Sequence, residues 1–165
     1  MEINPTILIL CGGRGERLKP LTYKTHKSLT KIDNKTILQH LVEFFTKKKL
    51  KKFIFTTGYK SKQIKNYLKK NFVDLEYDIV DSGNVNIINR LKHVYKFKSM
   101  NTIICYGDTL ANINIKKYFN FLKKNKNKII LTIYRPDIKF GIVSLGKKNI
   151  VKNFQEKPKL NIWIN

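Results

Sequence analysis

The sequence predicts a three-layer α/β fold built on a mostly parallel sheet, and three observations carry that reading. Short apolar runs alternate with stretches of helical spacing along most of the chain. The first run, Ile7-Leu8-Ile9-Leu10, has the pattern of a buried strand and breaks directly into Gly12-Gly13-Arg14-Gly15. A later compact run over 102–106 ends in Gly107-Asp108. In such sheets ligands bind at the carboxyl ends of strands, so both turns should open on the same edge.

Taken in order, the helical spacing of Ile37, Leu38, Leu41, Val42, Phe44 and Phe45 predicts a helix over 36–48. Residues 53–57 read as a short strand ended by Gly58. A helix over 61–71 places Ile64, Tyr67 and Leu68 on one face, with Ser61 as its N-cap. A strand over 75–80, a helix over 89–97, the strand over 102–106, a helix over 115–124 and a strand over 128–134 follow. Strands at 140–145 and 150–154 flank a turn at Gly146-Lys147. One domain spanning 1–165 is expected, with no internal repeat or linker.

The formal net charge of +23 arises from 30 lysines and 4 arginines against 11 acids. The lysines are scattered, and Lys, Asn and Ile share A/T-rich codons, so base composition of the gene accounts for the bias. No recognised nucleic-acid-binding module accompanies the charge, which argues against nucleic acid as the main partner. The field should still draw in anionic nucleotides and sugar phosphates. The longest apolar run is far short of the ~20 residues of a membrane span. The opening MEINPTILIL carries an acid and no basic segment, unlike a signal peptide. Cys11 and Cys105 lack metal-ligand spacing and read as reduced, buried thiols of a cytoplasmic protein.

Strand, glycine turn and spaced cations (Arg17, Lys27) make a way of holding a polyphosphate: glycines let backbone N–H groups wrap oxygens, and cations balance shifting charge. The P-loop is excluded, because its four-residue spacing and Gly-Lys-Ser/Thr are missing. The dinucleotide fingerprint is excluded because Leu18 stands where its third glycine belongs. Asp108, after an apolar strand, is the natural ligand for Mg²⁺, which takes one or two carboxylates plus phosphate oxygens.

The loop Gly-Gly-x-Gly-x-Arg-Leu-x-Pro-Leu-Thr, with a lysine ten residues after the arginine, resembles the nucleotidyltransferase family that makes nucleoside-diphosphate sugars. The resemblance implies a Rossmann-like nucleotide-diphospho-sugar transferase fold, with a nucleoside triphosphate and a sugar 1-phosphate as substrates and Mg²⁺ as cofactor. It implies nucleotide contacts at Leu10, Cys11, Gly12, Gly13, Gly15, Arg17, Lys27, Gly83, Arg90 and Gly107, catalytic roles for Arg17, Lys27 and Asp108, and metal binding at Asp108. Gly141, Glu156, Lys157 and Asn165 match the sugar-phosphate positions. The family usually has Pro before the lysine; here it is His26.

Four stretches look like the branch of cytidylyltransferases acting on glucose 1-phosphate: Asp81-Ser82-Gly83 leading to Arg90-Leu91-Lys92, Tyr106-Gly107-Asp108 leading to Asn114-Ile115, Arg135-Pro136 leading to Phe140-Gly141, and Phe154 through Pro158 leading to Trp163-Ile164-Asn165. That branch's Thr-Gly-Gly appears here as Ile87-Ile88-Asn89, so base and sugar stay open: CTP and glucose 1-phosphate, another nucleotide, or an alcohol phosphate such as phosphocholine. Relative to the family, the chain is expected to lack the C-terminal portion, including a second metal-binding Asp. A shortened, inactive nucleotide-binding domain is therefore a further alternative. Apolar surface at the resulting sheet edge would favour association with a partner, a second copy included.

Overall fold

The computed structural model describes residues 4–97, 101–125 and 128–165, and Glu2 of the acidic N-terminus lies outside them. The chain divides into two compact units, Met1–Lys116 and Lys117–Asn165.

The first unit is built on a four-stranded sheet of β1 (Thr6–Cys11), β4 (Lys52–Thr57), β5 (Glu76–Asp81) and β6 (Thr102–Tyr106), in the order β5-β4-β1-β6 with every pairing parallel. Two short strands, β2 (Lys31–Ile32) and β3 (Lys35–Thr36), form a separate antiparallel pair. The helices are α1 (Ile37–Thr46), α2 (Ser61–Asn71) and α3 (Ile87–His93), while α4 (Ile115–Lys124) spans the boundary between the units.

Alternation along the strands explains the layering. Side chains two apart share a face, and the register sets Leu8 beside Ile54 and Ile7 beside Phe53. Leu8, Leu10 and Ile54 form one apolar cluster with Val94, against which Val80 and Leu91 pack. On the other face Phe53 stacks on Phe55 and meets Phe45 of α1 edge-on. Helices thus cover both faces, which is why β1 and β4 read as continuous apolar runs.

The element boundaries carry several corrections. The helix expected over 36–48 runs Ile37–Thr46: Thr36 is its N-cap, its side chain accepting from Gln39 N–H at 3.0 Å. At its far end Lys49 turns left-handed (φ 63), which lets Leu50 N–H reach back to Phe45 O. Ser61 is not the N-cap of α2. Lys60 holds that place, left-handed at φ 52, because the Ser61 hydroxyl is engaged by Asp81 and Thr57. The helix expected over 89–97 is α3 followed by a 3₁₀ turn, Tyr95–Phe97.

The second unit contains an antiparallel hairpin of β7 (Ile142–Leu145) and β8 (Val151–Gln155). Lys147–Asn149 form a 3₁₀ turn between them. Among the described residues the strand expected over 128–134 does not form, and only its Tyr134 makes a bridge, to Ile164. An apolar run becomes a strand only when its backbone finds a partner. Ile129, Leu131 and Ile133 are exposed.

Candidate active site

The site of the first unit begins where β1 runs out. Gly12 is buried at the strand end, and the chain turns at Gly15, whose φ of +67 favours glycine. Thr22 Oγ1 fixes the turn by donating to Gly15 O at 3.0 Å. The stem of Lys27 lies across it: a Cβ on Gly13 would sit 3.3 Å from the lysine Cε and Nζ, and one on Gly15 3.1 Å from its Cβ. The glycines make room for the lysine as well as for backbone approach.

β6 is the neighbour of β1, so the second polar turn arrives beside the first, as the sheet edge requires. Gly107 N–H donates to Leu10 O at 3.0 Å, and a Cβ at Gly107 would collide with Cys11 Sγ and Ser28 Oγ. The next residue, Asp108, places Oδ2 2.8 Å from Lys27 Nζ, with both side chains mostly shielded. Arg17 is exposed on the 3₁₀ turn Glu16–Leu18 and makes no hydrogen bond or ion pair among the described residues. Its guanidinium is therefore available to an incoming anion.

Leu10 contributes main chain to this edge, its side chain being core. Cys11 is wholly buried, and burial pushes its thiol up to about 12 against the opposing influence of the Ser28 hydroxyl and Lys27. A thiol that stays protonated is a poor nucleophile. Cys105, half-buried in β6, is likewise free and pushed up to about 12 by burial.

Arg90 lies beneath the loop instead of projecting from it. It is 5% exposed and donates to Thr57 O, Gly83 O and Val85 O. Burial lowers its pKa, with the Asp81 carboxylate opposing. A Cβ on Gly12 would overlap the guanidinium, and one on Gly58 would crowd both the guanidinium and Gly83 O. Two glycines thus sandwich a buried cation that ties the end of β4 to the segment after β5. Gly83 itself is left-handed (φ +63), with open space where its Cβ would be.

Sequence reasoning missed the groups that hold the lysine-bearing segment. Lys60 Nζ donates to Thr22 O at 2.8 Å and to Tyr23 O at 2.7 Å. Gln63 Nε2 donates to Lys24 O at 2.8 Å, and Gln63 Oε1 accepts from His26 N–H at 2.8 Å. His26 is fully buried, and its Nδ1 accepts from Ser28 N–H at 3.1 Å, capping the short turn that starts at Lys27. That cap requires the neutral ring. Burial first, and the Lys27 charge second, lower its pKa to about 4. No sequence pattern marks Lys60 or Gln63, because their partners are carbonyls and an N–H that carry no residue identity.

The second unit gathers other expected residues. A Cβ at Gly141 would strike the Phe154 ring and lie 3.2 Å from Glu156 Oε2, so backbone, ring and carboxylate converge there. Lys157 is left-handed (φ 44) with Nζ 3.7 Å from Glu156 Oε1. Asn165 Nδ2 donates to Thr132 O at 3.0 Å, and Arg135 lies over the Trp163 ring.

Among the described residues no three His, Cys, Asp or Glu side chains cluster as a ready-made metal cage. Asp108 is a single, partly accessible carboxylate beside the glycine loop. That donor set fits Mg²⁺, which completes its shell with phosphate oxygens and water.

Residues 6–163 match the family model for nucleotidyl transferase. The chain belongs to that family of enzymes. Among its nucleotidyl transferase relatives, it is 30% identical to the D-glycero-α-D-manno-heptose 1-phosphate guanylyltransferase of Campylobacter jejuni, over 91% of this chain and 67% of that protein. It is 29% identical to the glucose-1-phosphate cytidylyltransferase of Salmonella typhimurium, over 92% and 68%. The chain therefore spans about two thirds of the length of these relatives. The fold is similar to that of Yersinia pseudotuberculosis HddC complexed with GMP-PN, with a TM-score of 0.65 at 19% identity, covering 94% of this chain and 71% of that one. A crystal structure from Bacillus anthracis in complex with sucrose gives 0.69 at 20% identity, covering 94% and 65%. The nucleotidyl transferase fold expected from the sequence is thus present.

Proposed function

We propose that the chain transfers a nucleotidyl group from a nucleoside triphosphate to a sugar 1-phosphate. The observation that carries this is the meeting of Lys27 and Asp108 over the glycine loop at the carboxyl edge of the sheet. In this reading a phosphate oxygen of the sugar 1-phosphate attacks the α-phosphorus of the nucleotide. A new P–O bond forms, the bond between the α-phosphorus and the bridging oxygen breaks, and pyrophosphate leaves with that electron pair.

Such transfers need little covalent help from protein, and positioning with charge stabilisation supplies the rate. Gly12, Gly13 and Gly15 cradle the nucleotide, and Lys27 exchanges its Asp108 partner for phosphate oxygens. Arg17, exposed and without a partner among the described residues, closes on the leaving pyrophosphate. Asp108 would hold Mg²⁺, which when bound draws charge from the reacting oxygens. Glu156 and Lys157 are the proposed sugar and phosphate contacts, with Gly141 giving the sugar backbone to pack on.

CTP and glucose 1-phosphate are the proposed pair, on the four stretches shared with the cytidylyltransferase branch. A guanylyl transfer is the second reading, favoured by the equal likeness to the heptose 1-phosphate guanylyltransferase. Pyrophosphate release measured with CTP, GTP, UTP and dTTP against a panel of sugar 1-phosphates tests both. Turnover confined to CTP supports the first, turnover confined to GTP the second. Release with none of the four contradicts the proposed activity of this chain.

A further inference from the structure

We infer that Gln63 and Lys60, at the start of α2, are positioning residues for Lys27; the inference rests on the proposed role of Lys27 as a phosphate contact. Four hydrogen bonds of 2.7–2.8 Å run from these two side chains to the main chain of Thr22, Tyr23, Lys24 and His26, the stretch immediately before Lys27. Among the described residues no strand or α-helix holds it: the stretch runs from within the 3₁₀ turn Leu21–Tyr23 to the residue before the 3₁₀ turn Lys27–Leu29. Its carbonyls are the groups that short turns leave without backbone partners.

The two residues divide the work. Lys60 binds the outer part, and its left-handed backbone (φ 52) is the conformation that starts α2 while letting its side chain reach back. Such a conformation is uncommon for a lysine and persists only when surroundings enforce it. Gln63 binds the inner part with both ends of its amide, donating to Lys24 O and accepting from His26 N–H. The assignment is self-consistent, because neither contact could be made with the amide reversed. His26 then passes the constraint on through its ring, which caps Ser28 N–H and fixes the turn bearing Lys27. A lysine ammonium on a flexible stem is a poor aiming device unless its backbone is held.

The test is a double-mutant cycle on the full chain, with inorganic tripolyphosphate as probe and calorimetric affinity as readout. K27A should weaken binding. Q63L, which preserves size and net charge, should weaken it roughly fivefold, the effect of about one net hydrogen bond. In the K27A background Q63L should then cost nothing further, because a residue acting through Lys27 has nothing left to place. K60M, measured in the same two backgrounds, gives an independent cycle in which any uniform loss of positive charge cancels. A Q63L or K60M cost that persists unchanged without Lys27, or no cost in its presence, overturns the inference while leaving the function reading intact. If K27A alone binds tripolyphosphate as well as wild type, the inference and the proposed role of Lys27 fall together.

Discussion

Lys27 Nζ and Asp108 Oδ2 stand 2.8 Å apart, so the two charges expected to handle substrate neutralise each other in the free protein. Neither is a surface ornament, since the side chains are 16% and 26% exposed. Replacing the lysine by Ala removes the cation that would meet phosphate and leaves Asp108 alone beside the loop. K27A is expected to lower turnover about 100-fold or more, the usual effect of deleting one preorganised charge contact. Steady-state rates of pyrophosphate release check it, and turnover like that of wild type would remove Lys27 from the chemistry.

Arg90 yields a prediction about stability. Its guanidinium donates to Thr57 O, Gly83 O and Val85 O, and R90M would remove all three bonds, leaving Thr57 O only its bond from Ser82 N–H. Net hydrogen bonds are worth about 0.5–1.5 kcal/mol each, so a loss on the order of 1–3 kcal/mol is expected. Chemical denaturation should show the loss. Arg90→Lys should recover only part of it, because an ammonium cannot reproduce the planar fork.

Gly12→Ala attacks the same contact from above. The new Cβ would overlap a guanidinium that is pinned on three sides. Overpacking of this kind costs roughly 1–3 kcal/mol. The expected outcome is a lowered melting temperature together with weakened nucleotide affinity, read by thermal denaturation with and without nucleotide.

His26 sets a pH dependence whose sign is fixed. Its folded pKa of about 4 lies below the ordinary histidine value of 6.5, so the folded state binds fewer protons between those limits. Stability should therefore be complete above about pH 6.5 and fall as pH drops toward 4, by on the order of 2–3 kcal/mol from this one group. The comparison is with His26→Asn, which keeps an acceptor for the Ser28 N–H and does not titrate. Denaturant midpoints across pH 4–7 should converge toward acid as the histidine protein loses its advantage.

Much of the fold and half of the site could be read from the chain because they depend on residue identity in a pattern. Short apolar runs named the strands of the parallel sheet, and their carboxyl ends brought the glycine loop and Asp108 to one edge. The pairing of Lys27 with Asp108 follows once β1 and β6 are neighbours. Other features rest on contacts that leave no such trace. Gln63 and Lys60 act on main-chain atoms of a distant segment, and any residues could stand at those receiving positions. Ser61 carries the right chemistry for a helix cap but gives its hydroxyl to Asp81, whose pKa is about 2: burial would raise it, yet Lys65, Ser61 and the Gly83 N–H together outweigh that. The run at 128–134 has strand composition and lacks a strand partner. His26 keeps a proline-like φ of −62, while its ring adds a cap that proline could not provide.

Nucleotidyl transfer is tested most directly by phosphorus NMR of the purified chain incubated with Mg²⁺, CTP or GTP, and glucose 1-phosphate or a heptose 1-phosphate. Pyrophosphate and a diphosphate ester should appear in equal amounts, with both formed about 100-fold more slowly in K27A. Release of inorganic phosphate and nucleoside diphosphate instead, or an unchanged triphosphate spectrum with every pair, would contradict nucleotidyl transfer at this site.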